Sequence, residues 1–85
     1  MNDNSPYWEM LDDDALIWDG CDDAIIGVAR RCSEKGLLVY DYELLLSHFI
    51  NDGMTEEEAA EWIDYNIASA WIGEQTPLLL FRAPQ

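Results

Sequence analysis

Two cysteines and one histidine are the side chains of this sequence that could act as nucleophiles or as soft metal ligands. Cys21, Cys32 and His48 are of the types that zinc prefers, but structural zinc sites place their ligands in closely spaced pairs, and no such pair is present. A cysteine–histidine nucleophile would also need an orienting third group and an oxyanion donor, and the sequence indicates neither. We therefore expect no metal site and no enzyme activity, with both thiols reduced.

Carboxylates are the abundant chemical groups. Eighteen Asp and Glu residues stand against four Lys and Arg residues, which gives a formal net charge of −14. A calcium loop needs oxygen ligands at alternate positions, a central glycine and a glutamate at the twelfth position. The acids around Asp12, Asp14 and Asp19 do not follow that pattern, and no glycine-rich phosphate-binding motif occurs. The sequence therefore predicts no cofactor.

The charge restricts the class of partner. Direct binding to DNA or RNA is not expected, because that affinity comes largely from Lys and Arg side chains that neutralise phosphates. Anionic membrane surfaces are disfavoured for the same reason. Residues 1–6 lack the positive and apolar segments of a signal peptide, and no apolar stretch approaches membrane-spanning length. We expect a cytosolic protein whose partner is a basic protein.

The carboxylates also follow a regular pattern. In the most clearly marked helix, three of them recur at i, i+4 and i+7, so they form one row whose neighbours stand about 5–6 Å apart. Three more lie in succession near the N-terminus. Neither residues 1–23 nor residues 36–81 contain a Lys or Arg. A phosphate backbone offers similarly spaced negative charge to a basic groove. We expect these acids to contact a nucleic-acid-binding protein: Glu57, Glu61, Asp64, Asp12, Asp13 and Asp14.

The helix that must position this row has a strong start signal. Thr55 and Glu58 form a capping box, and the apolar period that follows predicts a helix as far as Ile72, with Gly73 as its stop. Asn66 falls on the predicted apolar face. Because an unpaired buried amide costs about 1–3 kcal/mol, we expect it to bond to the backbone near residues 73–76 or to the preceding strand.

The rest of the chain predicts a small α+β domain. Asp41 can cap a helix that runs to Ile50, and residues 37–40 and 78–81 read as buried strands that pair across the helical hairpin. The apolar spacing of residues 24–29 favours a helix, although Gly27 leaves a strand open. Residues 15–18 fit a short strand or a helix end.

The expected architecture is about three helices packed on two or three short strands, all within one domain of residues 15–85. Residues 1–14 are expected to form a loosely held acidic arm. Within that arm, Tyr7 and Trp8 are expected to pack on the domain, because so short a chain needs most of its aromatic side chains for its core.

The C-terminal half resembles a known type of protein. Residues 40–77, with the segments 53–67 and 71–77 and the turn Gly73-Glu74-Gln75-Thr76-Pro77, are similar to small acidic proteins carried by bacteriophages and other mobile elements. The resemblance covers about half of the chain, and its motifs are structural, so it transfers no functional residues. It implies a product acting in the bacterial cytoplasm, of the anti-CRISPR or antirestriction kind, several of which are nucleic-acid mimics. The expected function is an anti-CRISPR inhibitor that binds a basic surface of a CRISPR effector as an acidic DNA mimic.

A different function class remains open. The charge could serve solubility only, while exposed aromatic side chains such as Tyr7, Trp8 and Trp62 bind the partner of an adaptor protein. Four tryptophans also leave room for a homodimer interface, since aromatic residues are enriched at interfaces.

Overall fold

The computed structural model describes residues 6–83, and the statements below refer to that part of the chain. One three-stranded sheet packs against two α-helices, which confirms the α+β class but corrects the expected number of helices from about three to two. In chain order the elements are β1 (Ile25–Ala29), β2 (Leu37–Asp41), α1 (Tyr42–Asn51), α2 (Glu56–Ile63) and β3 (Leu78–Leu80). Shorter helical turns cover Pro6–Met10, Asp22–Ala24 and Asp64–Ala68.

The sheet has the order β1-β2-β3. β1 and β2 are antiparallel, while β2 and β3 are parallel with Val39 opposite Leu78, and the helical pair supplies the long connection that parallel strands need. The predicted pairing of residues 37–40 with residues 78–81 is confirmed, but the expectation that the second strand is buried is wrong, because β3 lies at the edge of the sheet and Leu78 and Leu80 are exposed. β2 is the central strand, and its inward side chains Leu38 and Tyr40 are fully buried.

The helix favoured for residues 24–29 is wrong, because Ile25–Ala29 forms strand β1. Three β-branched side chains in this segment fit a pleated surface, and Gly27 weakens a helix. The strand is irregular: the register shifts between Ile25 and Gly27, which leaves Ile26 as an extra, exposed residue. Residues 15–18, for which a strand or a helix end was expected, have no regular secondary structure.

The predicted C-terminal helix is shorter than its apolar period indicates. The α-helix ends at Ile63, and a wider π-helical turn, Asp64–Ala68, follows it. The Ser69 hydroxyl donates to the Asp64 carbonyl at 2.7 Å, which closes this wide turn with a side chain. The helical segment ends at Ala68 rather than at Ile72, so Trp71 lies beyond it and is 73% exposed.

The prediction that Asn66 is buried is also wrong. Its side chain is exposed, and Nδ2 donates to the Trp62 carbonyl at 3.1 Å rather than to residues 73–76 or to a strand. The turn at residues 73–76 is held instead by Thr76. The Thr76 hydroxyl donates to the Gly73 carbonyl at 2.7 Å and accepts from the Ile72 amide at 2.9 Å.

The core lies between the sheet and the two α-helices. Its buried side chains come from both layers: Cys21, Ala24, Leu38, Tyr40, Leu45, Phe49, Ala59, Ile63 and Ile67. Tyr40 needs a polar partner because its hydroxyl lies inside the core, and that hydroxyl accepts a hydrogen bond from the Trp18 amide at 3.0 Å. The two rings also contact each other, with centroids 4.5 Å apart. Within residues 6–83, neither helix has the length or the apolar composition to cross a bilayer.

Residues 8–12 are attached to the loop between β1 and β2. The Gly36 amide donates to the Met10 carbonyl at 2.7 Å, and the Asp12 amide donates to the Gly36 carbonyl at 2.8 Å. Trp8 and Leu11 pack against the core, as expected for Trp8, whereas the side chain of Tyr7 lies outside the described part. The boundary between an arm of residues 1–14 and a domain of residues 15–85 stays a prediction.

Asp41 joins three elements. It is the last residue of β2 and the N-cap of α1, where Oδ1 accepts from the amides of Glu43 and Leu44 at 2.8 and 3.1 Å. Oδ2 accepts from Arg82 Nε at 2.7 Å, just beyond β3. Burial of the residue, which is only 2% exposed, raises the pKa of Asp41. The hydrogen bonds from Arg82 and from the two amides outweigh burial, so the pKa lies below its ordinary value.

Replacing Asp41 with Asn should lower the free energy of unfolding by about 1–2 kcal/mol at neutral pH, because the amide can still cap α1 but cannot pair with Arg82. The depressed pKa means that the carboxylate stabilises the fold above its ordinary pKa and loses this effect as the pH falls through the folded value. Urea unfolding should therefore show that the difference in free energy of unfolding between the wild type and the Asp41→Asn variant becomes smaller below about pH 4. The control is Glu43→Gln, which removes a more exposed carboxylate 3.4 Å from Arg82. An equal loss in both variants, or a gap unchanged at pH 3, would contradict the assignment.

Gly36 should not tolerate a side chain. A Cβ at this position would overlap the Val28 side chain and would come within 2.9 Å of the Met10 carbonyl oxygen. We expect Gly36→Ala to reduce the free energy of unfolding by about 1–3 kcal/mol and to loosen residues 8–12. Gly27→Ala is the matched control, since no atom lies within 4 Å of its added Cβ. Hydrogen exchange of the Asp12 amide measures the loosening, and equal exchange in the two variants would refute it.

Candidate functional site

The start of α2 fixes the position of the main acidic cluster. The Thr55 hydroxyl accepts from the Glu58 amide at 3.1 Å, and Glu58 Oε1 accepts from the Thr55 amide at 2.9 Å, which confirms the predicted capping box. The backbone and side-chain hydrogen bonds with Thr55 hold the pKa of Glu58 below its ordinary value. Ala59 and Ile63 are fully buried against the core, so the opposite side of α2 must face outward.

Glu57, Glu61 and Asp64 all lie on that outward side and are exposed. Asp64 begins the π-helical turn but keeps α-helical dihedral angles, φ −60° and ψ −44°, so the i, i+4, i+7 row continues through it. We call these three residues the α2 acid row. No cationic side chain of residues 6–83 lies within ion-pair distance of the row.

The second predicted acidic cluster is held by a different part of the fold. Asp12 is half-buried and accepts a hydrogen bond from the Asp14 amide through Oδ1 at 2.9 Å, whereas Asp13 and Asp14 are exposed. The Asp12 backbone is tied to Gly36, at the end of the turn that carries Arg30, Arg31 and Lys35. The structure therefore groups the α2 acid row on one helix but gives Asp12, Asp13 and Asp14 a separate place near basic residues.

The remaining charges explain why the α2 acid row is uncompensated. Arg82 lies 2.7 Å from Asp41 and 3.4 Å from Glu43, so its charge is already paired. His48 Nδ1 lies 3.0 Å from Asp23, and its Nε2 lies 3.9 Å from Asp52. The other three basic residues belong to the loop between β1 and β2.

A groove runs beside the α2 acid row and was not foreseen from the sequence. It has a volume of about 330 Å³. The residues that line this α2 groove are Met54, Glu58, Glu61, Trp62, Tyr65 and Asn66. Trp62, one of the aromatic side chains that an adaptor would expose, is 44% exposed, and Tyr65 is 82% exposed. Only the i, i+3 spacing of two aromatic residues next to acids could have indicated the groove.

A second exposed surface is apolar and lies at the β3 edge of the sheet. β3 is an edge strand, and several large apolar side chains on or near it are exposed: Trp71, Ile72, Leu78, Leu80 and Phe81. We call this set the β3-edge surface. Exposed apolar clusters and unpaired strand edges are typical of places where another chain binds.

The thiols and the imidazole are not arranged as a nucleophilic pair. Cys21 is buried and Cys32 is exposed in the loop between β1 and β2. Burial, followed by the nearby carboxylates of Asp23 and Asp22, raises the pKa of the Cys21 thiol, which opposes formation of a thiolate. Cys21 and His48 line the same cavity of about 540 Å³, but no hydrogen bond joins them in the described chain. Residues 6–83 contain no cluster of three or more His, Cys, Asp or Glu side chains suited to a metal ion.

Comparison with protein-family models, with curated proteins and with solved structures gives no match for this chain.

The two thiols should differ in reactivity. In the native protein a disulfide reagent should modify Cys32 at least about tenfold faster than Cys21, because only Cys32 is accessible without an opening of the fold. Absorbance of the released thiolate measures the rates, and Cys32→Ser should remove the fast phase. In urea the two thiols should react alike. Two equally fast phases in the native protein would contradict the burial of Cys21.

Proposed function

We propose that this protein is an inhibitor of a bacterial defence system, of the anti-CRISPR kind, which occupies a basic nucleic-acid-binding surface of an effector protein as an acidic mimic of DNA. The observation that supports this function is the α2 acid row, whose three carboxylates are exposed, regularly spaced and without a cationic partner among residues 6–83. The resemblance of residues 40–77 to small acidic proteins of bacteriophages and other mobile elements supports the same setting.

The spacing of the row is compatible with such mimicry. At about 1.5 Å per residue, Glu57 and Asp64 stand about 10 Å apart along the helix axis, so the three charges follow one another at about 5 Å. One strand of B-DNA carries a charge about every 3.4 Å. Glu56 and the capping-box residue Glu58 add negative charge to the first turn of α2, where Glu57 also lies. A basic groove built for phosphates would therefore meet a charge density of the same order.

The net charge adds a kinetic argument. Eighteen acids against four basic residues create a negative field that speeds encounter with a cationic surface. The only arginine outside the loop between β1 and β2 is Arg82, which is paired with Asp41 and Glu43. The field near α2 therefore has little local compensation, and a protein that competes with nucleic acid for the same surface would gain association rate from it.

An adaptor that binds its partner through apolar contacts is the alternative function. The β3-edge surface favours it, because Trp71, Ile72 and Phe81 are all more than half exposed in a chain with a small core. In that case the charge serves solubility only. The two functions differ in their response to salt. At physiological ionic strength salt largely screens interactions between exposed charges more than about 8 Å apart, and it leaves apolar contacts largely unaffected.

The proposal predicts loss of inhibition when the α2 acid row is neutralised. A phage that is targeted by an active CRISPR system should form more plaques on bacteria that express this protein than on bacteria that lack it. The triple variant Glu57→Gln, Glu61→Gln and Asp64→Asn should lose this effect and should bind the effector at least about tenfold more weakly, because charge complementarity is removed while the buried side of α2 is untouched. Plaque counts and competition with duplex DNA for the purified effector measure the two effects.

The matched control changes the net charge equally at another place. Glu9→Gln, Asp19→Asn and Glu74→Gln alter three exposed acids that lie outside α2 and make no ion pair with another described residue. This control should keep most of the inhibition. Raising the salt concentration from 50 to 200 mM should weaken the wild-type complex by at least about tenfold. Equal effects of both triple variants, or binding that is insensitive to salt, would favour the adaptor.

A further inference from the structure

The α2 groove combines two exposed aromatic rings with two carboxylates on consecutive turns of a helical segment. Trp62 and Tyr65 stand three residues apart, so their side chains are neighbours, and Glu58 and Glu61 line the same groove. In an 85-residue chain most large aromatic side chains are needed for the core. Trp62 and Tyr65 nevertheless leave 44% and 82% of their surfaces exposed, which the stability of the fold does not require.

The tryptophan is held in place rather than free. Its ring packs against Phe49 of the core, with centroids 6.2 Å apart and planes inclined at 60°. Asn66, which also lines the groove, donates from Nδ2 to the Trp62 carbonyl, and this bond restrains the Asn66 side chain. A ligand that enters the groove therefore meets an indole whose position is already set, and little conformational freedom is lost when it binds.

The carboxylates of the groove differ in how they are held. Glu58 is fixed by its hydrogen bond to the Thr55 amide, and the hydrogen bonds with Thr55 keep its pKa low, so it stays ionised at neutral pH. Glu61 belongs to the α2 acid row and has no cationic partner in residues 6–83. The groove thus offers one fixed and one movable negative charge beside two aromatic faces.

We propose that the α2 groove binds an arginine side chain of the partner protein. A guanidinium is planar, stacks on aromatic faces and can donate several hydrogen bonds to carboxylates. The groove supplies both the aromatic faces and the carboxylates. The lysine ammonium is a compact and more strongly hydrated charge, which gains less from the two rings. The volume of about 330 Å³ is ample for one such side chain. The occupant follows from charge complementarity: the walls are negative and aromatic, and the chain carries a net charge of −14.

The inference rests on the proposed function, because both need a cationic partner, but it adds a selectivity that the α2 acid row alone does not provide. A row of carboxylates attracts any cation of equal charge, whereas an aromatic groove distinguishes arginine from lysine. Nucleic-acid-binding surfaces contain both residues, so the groove would direct this protein to those with an accessible arginine.

The test uses fluorescently labelled nine-residue peptides of all-arginine and all-lysine sequence, which match in length and charge. Fluorescence anisotropy at constant salt should give at least about threefold tighter binding of the arginine peptide to the wild-type protein. Tyr65→Leu should reduce this ratio to about one and leave binding of the lysine peptide unchanged. Because Tyr65 is 82% exposed, its replacement should not disturb folding. Trp62→Leu should act in the same direction, but it also removes a contact with Phe49.

Trp71→Leu is the matched control, since Trp71 is an equally exposed tryptophan, at 73%, outside the groove. It should keep the preference for arginine. Equal affinities for the two peptides in the wild type, or the same loss with Trp71→Leu as with Tyr65→Leu, would overturn the groove assignment and leave charge mimicry intact. If neither peptide bound at low salt, both proposals would fail. If both peptides bound equally and the triple variant of the α2 acid row lost both, only the proposed function would survive.

Discussion

The buried carboxylate of Asp41 determines how the sheet and the helices of this protein meet. Its two oxygens join the end of β2, the start of α1 and Arg82 beyond β3. Burial of a charge is costly unless it is paired and hydrogen-bonded, and three donors offset the cost here. Because β2 is the central strand and α1 begins at its last residue, this one group fixes the direction of α1, against which α2 packs. The outward face of α2 therefore depends on it.

The same contact shapes the distribution of charge. The chain has four Lys and Arg residues for eighteen acids, and the fold places one of them, Arg82, beside Asp41 and Glu43. The other three lie in the loop between β1 and β2. Arg82 therefore stabilises the junction of β2, α1 and β3 and is not available to pair with the carboxylates of α2. Repulsion between neighbouring helix carboxylates costs a few tenths of a kcal/mol per pair, which burial of Ile63 on the other face readily exceeds.

Local signals were sufficient to predict some parts of this structure. The capping box of Thr55, the N-cap Asp41, the strand at residues 37–40 and the exposure of the α2 acid row follow from short-range chemistry. The strand β1 was the open alternative to a helix, since its local signals were mixed and pairing with β2 decides between them. The π-helical turn could not be predicted, because an α-helical period gives no sign of the wide turn that the Ser69 hydroxyl closes. The α2 groove was missed because the sequence indicates that Trp62 can be exposed but not that Tyr65, Asn66 and Met54 line a common groove with it.

Under the proposed function, the α2 acid row and the α2 groove would act over different distances. Exposed charges such as those of the row would accelerate encounter with a cationic partner, but at physiological salt their interactions beyond about 8 Å are largely screened, and they affect the association rate more than the lifetime of a complex. Lifetimes depend mostly on desolvated anchors, among which Trp, Tyr and Arg are prominent. Trp62 and Tyr65 lie directly beside the row. A cation attracted by the carboxylates would thus reach aromatic contacts that salt weakens less than it weakens exposed ion pairs.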